Sequence, residues 1–164
     1  MIRKKVCMLG AFSVGKTSLI SRYVKSLFSE KYLTTVGVKI EKKTLELNGE
    51  TIQLMIWDLA GEDDFTQINM SYLRGAAGYI LVVDPTRPAT FQVARDVLDK
   101  VKESNMATPT VVALNKADLK DDWQVDEACL AALREQGCET IETSAKSGEG
   151  VEAIFERLTL NMMQ

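Results

Sequence analysis

The stretch Gly10-Ala11-Phe12-Ser13-Val14-Gly15-Lys16-Thr17 reads G-x-x-x-x-G-K-T. Ahead of it, the apolar run 6–9 carries a strand signal; behind it, 18–27 reads as the start of a helix. A strand, a glycine-rich turn and a helix start, in that order, make a loop that cradles phosphates. Gly10 and Gly15 let the chain turn tightly, so that successive N–H groups through Ser13, Val14, Gly15, Lys16, Thr17 and Ser18 point at phosphate oxygens. The positive end of the following helix adds attraction. Lys16 is expected to reach the terminal phosphates, and the Thr17 hydroxyl to ligate Mg²⁺. A glycine-rich turn without a ligand is the bland alternative, and the strand-before, helix-after context argues against it. The expected ligand is a nucleoside triphosphate.

Working outward, the 164 residues suit a single domain, 1–164, with a real core. Hydrophobic residues make up 46% and charged residues 26%, as in ordinary globular chains. The net charge of −3 and the lack of a basic block argue against a nucleic-acid polymer as the main ligand. Three cysteines without paired spacing, Cys7, Cys129 and Cys138, suggest reduced thiols in a cytoplasmic setting and small buried hydrophobes rather than metal ligands. The chain has no histidine, which removes histidine-based triads and the commonest zinc ligand. No run reaches transmembrane length, and neither end carries a myristoylation or prenylation signal. Whether membranes are involved stays open, since a tail could be missing. A monomer is expected.

Strand and helix signals alternate without repeats. Strands are expected at 4–9, 38–47, 51–57, 79–83, 110–114 and 139–141, and helices at 16–26, 65–74, 90–104, 126–136 and 150–160. Asn48-Gly49 between the second and third strands is a strong hairpin signal, so those two run antiparallel. The Lys- and Glu-rich second strand suits an exposed edge. The run 79–83 is wholly apolar, as in a parallel sheet covered on both faces. The expected fold is α/β: a doubly wound, mostly parallel six-stranded sheet with one antiparallel edge strand and helices on both faces. Ligands of such sheets sit at the carboxyl ends of the strands.

Those ends carry chemistry. Trp57-Asp58-Leu59-Ala60-Gly61-Glu62 follows the third strand. Asp58 there suits a second Mg²⁺-associated carboxylate, although alone it could be a helix N-cap. Gly61 offers a backbone N–H that can approach a γ-phosphate closely. Asn115-Lys116-Ala117-Asp118 follows the fifth strand. A carboxylate can accept two hydrogen bonds from the N1–N2 edge of guanine, a pair that adenine lacks. The Lys116 stem could lie flat along a base; a plain turn is the alternative. After the sixth strand, the small residues of Thr143-Ser144-Ala145-Lys146 let backbone N–H groups reach a base carbonyl.

Together, in this order, these motifs resemble those of a small GTPase of the Ras superfamily (a P-loop NTPase with a G domain) over essentially the whole chain. Thr35-Val36-Gly37-Val38, Trp57-Asp58 and Tyr72-Leu73-Arg74-Gly75-Ala76 are similar to the Rab branch. The resemblance implies that Asp118 selects guanine, Asn115 braces the loops, Lys116 packs on the base, and Ser144, Ala145 and Lys146 complete the base pocket. It implies that Phe28 covers the other side of the base, though Phe28 could instead be a helix-end core residue. It makes Thr35 a further Mg²⁺ ligand that ties a mobile loop to the γ-phosphate. Segments 29–37 and 60–74 then look like switches that order with GTP and relax with GDP. Ile40, Trp57 and Tyr72 match an apolar patch for effector, exchange-factor and activating proteins; Trp57 could equally be a sheet-packing residue.

Two positions depart from that family's pattern. Glu62 stands where Gln usually positions the attacking water, and an ionised Glu only accepts hydrogen bonds. Slow hydrolysis is expected, with general-base action by Glu62 as the alternative. Phe12 occupies a loop position that is usually small; its ring either crowds the γ-phosphate and an incoming arginine or packs on a switch segment. The acidic run Glu62-Asp63-Asp64 reads as a solvated helix start, or else as a bias toward basic partners. The leading reading is a GTP/GDP switch whose off step is hydrolysis, with Lys16, Thr35, Gly61 and Glu62 as the catalytic set. A GTP-binding scaffold with negligible turnover is the runner-up, and a kinase on the same loop is a distant third.

Overall fold

A computed structural model describes residues 1–24, 31–33, 38–59, 70–104 and 108–164. Among the described residues seven strands form one sheet: β1 (Ile2–Gly10), β2 (Lys31–Leu33), β3 (Lys39–Leu47), β4 (Glu50–Asp58), β5 (Gly78–Val83), β6 (Thr110–Leu114) and β7 (Glu139–Glu142). Their spatial order is β2-β3-β4-β1-β5-β6-β7. β4, β1, β5, β6 and β7 run parallel, whereas β3 is antiparallel to both neighbours. The six expected strands all form, and the three-residue β2 extends the antiparallel edge by one.

The hairpin between β3 and β4 closes with Leu47 opposite Glu50. Asn48 and Gly49 both hold positive φ, 52° and 80°. That is the backbone a two-residue hairpin with the native strand twist demands, and these residue types tolerate it best.

Four α-helices lie among the described residues: α1 (Lys16–Val24), α2 (Ala89–Ser104), α3 (Glu127–Glu135) and α4 (Val151–Met162). Side chains of β1, β5 and β6 alternate between two cores. Cys7 and Leu9 of β1 join Leu81 and Val83 of β5 beneath α2 and α3, with Phe91, Val97, Leu98, Leu130 and Leu133. Val6 and Met8 join Ile80 and Val82 on the opposite face, packed by Leu19, Ile20, Ile154, Phe155 and Leu158 of α1 and α4. The period of two along β1 and β5 therefore feeds both layers. On the α1/α4 side, the Tyr23 ring stacks on Phe155 with centroids 4.0 Å apart.

The helix expected at 65–74 is described only from residue 70 onward, where Met70–Leu73 forms a 3₁₀ turn. A second 3₁₀ turn, Ala117–Asp122, follows β6. Cys7, Cys129 and Cys138 are free thiols, all buried. No described helix is long and apolar enough to cross a membrane.

Candidate functional site

β1, the strand at which the order of the sheet reverses, ends in the phosphate-loop sequence. Gly10 and Gly15 hold φ of 141° and 104°. A Cβ at Gly10 would strike the Val82 carbonyl oxygen of β5, and one at Gly15 would strike the side-chain amide nitrogen of Asn115. Glycine is thus required at both positions by conformation and by space. Lys16, the first residue of α1, is buried and folds back over the loop, its Nζ donating to Gly10 O at 2.8 Å and Ala11 O at 3.4 Å. Phe12, Ser13, Gly15, Lys16, Thr17, Ser18 and Lys116 line a cavity of about 390 Å³. Phe12 stands at its rim with 55% of its surface exposed.

At this end of the cavity, the Thr17 hydroxyl donates to Asp58 Oδ2 at 2.7 Å. Thr17 is the second residue of α1 and Asp58 the last of β4. An alcohol and a carboxylate oxygen side by side are hard donors that fit Mg²⁺, which is usually bound through one or two carboxylates and completes its shell with phosphate and water. Among the described residues no group of three or more His, Cys, Asp or Glu side chains is gathered for a metal; Mg²⁺ beside phosphates needs no such cage.

A second lobe of about 490 Å³ shares Gly15, Ser18 and Lys116 with the first and adds Asn115, Asp118, Leu119, Ala145 and Lys146. Asn115 ties its walls together. Its Nδ2 donates to Val14 O at 2.9 Å, and its Oδ1 accepts from the Thr143 hydroxyl at 3.1 Å. The Ser144 hydroxyl donates to Asp118 Oδ1 at 2.7 Å, which fixes the carboxylate at the edge of the lobe. The same Ser144 oxygen accepts from Ser147 N at 3.0 Å and so holds the loop that carries Ala145 and Lys146. The Asn-Lys-x-Asp and Ser-Ala-Lys segments, 26 residues apart from Asp118 to Ser144, therefore meet at one wall.

Sequence reasoning passed over three contributors. Asp84, at the end of β5, is fully buried, and its Oδ2 lies 2.8 Å from Lys116 Nζ. Burial pushes the Asp84 carboxyl up, but hydrogen bonds from the Lys116 side chain and from the Thr86 hydroxyl and backbone outweigh it and hold the group below its ordinary range. Arg87 donates from Nη1 to the Phe12 carbonyl at 3.0 Å. Arg22 of α1 donates to Ser147 O at 3.1 Å and Lys146 O at 3.4 Å, clamping the loop that carries Ala145 and Lys146. Asp84 ends an apolar strand just as Asp58 does, and that shared position was the available signal. Nothing local marks Arg22 or Arg87.

The geometry is a two-lobed cleft at the carboxyl rim of a parallel sheet, with cation, alcohol and carboxylate at one end and a fixed carboxylate at the other. A family model described as Ras family matches residues 5–164. The chain belongs to the Ras family.

Among its relatives, it is 34% identical over 161 residues to Ras-related protein Rab-13 of Canis lupus familiaris, covering 97% of this chain and 79% of that one. To Ras-related protein Rab-3C of Mus musculus it is 38% identical over 156 residues, 94% of this chain and 69% of the other. To Ras-related protein Rab-4 of Dictyostelium discoideum it is 36% identical over 164 residues, 97% and 78% of the two chains. As a Ras-family protein it is a small GTPase, Rab-like in sequence, and the doubly wound sheet is the fold expected of that family.

Several residues expected to act in this Ras-family site lie outside the described residues: Phe28, Thr35, Gly61 and Glu62, together with Asp63, Asp64 and most of segments 29–37 and 60–74. Of the expected partner patch, Ile40 is buried at 9% exposure, while Trp57 and Tyr72 are partly buried and pack against the α2/α3 core. Ile40 and Trp57 are opposite each other in the β3/β4 ladder. The Lys5 ammonium sits 3.7 Å over the Trp57 ring and donates to Arg74 O at 2.8 Å. Trp57 therefore packs against the α2/α3 core, and its ring is capped by the Lys5 ammonium.

Proposed function

We propose that this Ras-family protein is a GTP/GDP switch that recruits effectors through segments 29–37 and 60–74 and turns itself off by slow GTP hydrolysis. The observation that carries the reading is the cleft itself, where Lys16 and the Thr17–Asp58 pair occupy one lobe and the Ser144-fixed Asp118 carboxylate the other. The phosphates lie in the Phe12–Ser18 lobe, where Thr17 and Asp58 would hold Mg²⁺, with Thr35 as the further ligand that family membership implies. That ion supplies neutralisation of the phosphate charge. The guanine lies in the second lobe, its N1–N2 edge on Asp118 and one face on Lys116, with Ala145 and Lys146 closing the pocket; family membership assigns the other face to Phe28. Family membership assigns Gly61 to the γ-phosphate and Glu62 to the attacking water, and both lie outside the described residues.

Slow turnover follows from two residues. Glu62 is acceptor-only and brings negative charge toward an anionic transition state. Phe12, exposed at the mouth of the phosphate lobe, stands where an activating arginine would enter. The protein acts in the cytoplasm, a setting that its three free thiols suit. It meets its partners as a monomer, through the Ile40, Trp57 and Tyr72 region.

Single-turnover hydrolysis of bound GTP tests this. The expected unassisted rate is at or below the slow intrinsic scale of about 10⁻⁴ s⁻¹, and Glu62→Gln with Phe12→Gly should raise it. An unassisted rate far above that scale removes the slow-switch reading. A GTP-binding scaffold remains as the second reading, favoured by the same exposed Phe12, and turnover that stays undetectable in the double variant selects it.

A further inference from the structure

At the cleft, two residues other than glycine hold left-handed backbone: Ser13 at φ 61° and Lys116 at φ 67°. Any residue with a Cβ resists that conformation, so the surroundings must impose it. Both are tied to the same buried carboxylate. Lys116 reaches Asp84 Oδ2 directly at 2.8 Å. Arg87 Nη1 lies 4.0 Å from that oxygen and donates at 3.0 Å to the Phe12 carbonyl. The Phe12 carbonyl and the Ser13 N–H belong to one peptide unit. The unit is planar and trans, so its N–H points opposite to its C=O. Fixing the oxygen fixes the direction of the N–H. Ser13 lines the phosphate lobe, and Arg87 is not among its lining residues.

We propose that Arg87 is a positioning residue for the phosphate loop: seated beside buried Asp84, it holds the Phe12–Ser13 peptide so that the Ser13 N–H faces the nucleotide's phosphates. This rests on the reading that the lobe takes the phosphates of a guanine nucleotide. It also explains why a serine is tolerated at position 13. Glycine there would adopt left-handed backbone unaided, whereas serine needs the guanidinium to hold it. Arg87 and Ser13 are therefore a matched pair.

The test loads the full chain with fluorescently labelled GDP and Mg²⁺, then chases with excess unlabelled GDP. Arg87→Ala is expected to release the label about tenfold faster than wild type, the scale of one lost hydrogen bond from a charged donor. In a Ser13→Gly background the same substitution should change release by no more than about twofold, because the two positions are coupled. Arg87→Lys, which keeps a cation beside Asp84, should fall between wild type and alanine, and it serves in both backgrounds if the alanine variant does not fold. Unchanged release in Arg87→Ala, or an equal acceleration with serine and with glycine at position 13, overturns the proposal. A wild-type chain that fails to retain labelled GDP at all defeats the phosphate-lobe reading and takes this inference with it; wild-type retention with an indifferent Arg87 defeats the inference alone.

Discussion

Asp84 directly follows β5 and Asp118 lies just beyond β6, and the surroundings of these two carboxylates give them different work. Asp118 lines the open second lobe and is held by the Ser144 hydroxyl. If it reads the N2 amine of guanine, inosine triphosphate, which lacks that amine, should bind about tenfold or more weaker than GTP, since hydrogen bonds to charged acceptors are worth about 1.5–3 kcal/mol. Competition binding should show that gap collapsing in Asp118→Asn. Asp84, by contrast, is buried against Lys116, and its carboxyl is held low. A group whose folded pKa is depressed contributes stability above its unfolded value, about 3.9 for Asp, and loses that contribution as pH falls through the folded value. Denaturation of Asp84→Asn should therefore show a flatter acid limb than wild type. At pH 7 the variant should lose about 1–3 kcal/mol, less than for a fully buried pair because the Lys116 side chain is 34% exposed. At this scale the legible residues were those in short motifs: Lys16, Thr17, Asp58, Asn115 and Asp118 announce themselves by their neighbours. Arg87 and Arg22 do not, because their partners, Phe12 and the 146–147 loop, are 75 residues away in the first case and 124 and 125 in the second.

The elements were readable wherever apolar periodicity ran long enough to set a face. β6 falls where its apolar run places it, Thr110–Leu114, and α2 gains only Ala89 over the expected 90–104. The expected start of the third helix at Asp126 is its N-cap, whose side chain accepts from Cys129 N at 3.0 Å; a cap and a first helical residue leave the same mark in sequence. β2 and the 3₁₀ turn Ala117–Asp122 were not legible. Three residues carry no alternation, and a short i→i+3 turn full of charge looks like a loop. α4 shows what the readable pattern accomplishes. Its Phe155 is fully buried and stacks on Tyr23 of α1, coupling the helix that opens with Lys16 to the last helix of the chain. Phe155→Ala should cost about 3–5 kcal/mol, measured by denaturant unfolding with nucleotide absent, through the cavity left between α1, α4 and the sheet.

For the molecule as a whole, ligand binding and folding should be linked. A ligand at 100 times its Kd adds about 2.7 kcal/mol to a fold that binds it only when native. For a chain of this size that is a rise in Tm of about 5–10 °C, expected with GDP and Mg²⁺ and not with ATP and Mg²⁺ in differential scanning calorimetry. Removing Mg²⁺ with EDTA should take back much of the GDP-induced rise, since the Thr17–Asp58 end then faces the phosphate charge without its cation. Asn115 decides how such a loss spreads. One amide grips the phosphate loop at Val14 with its nitrogen and the β7 end at Thr143 with its oxygen, while pressing against Gly15. On the proposed reading it is a keystone: base grip and phosphate grip would slacken together, and prying at either side would unseat the whole nucleotide.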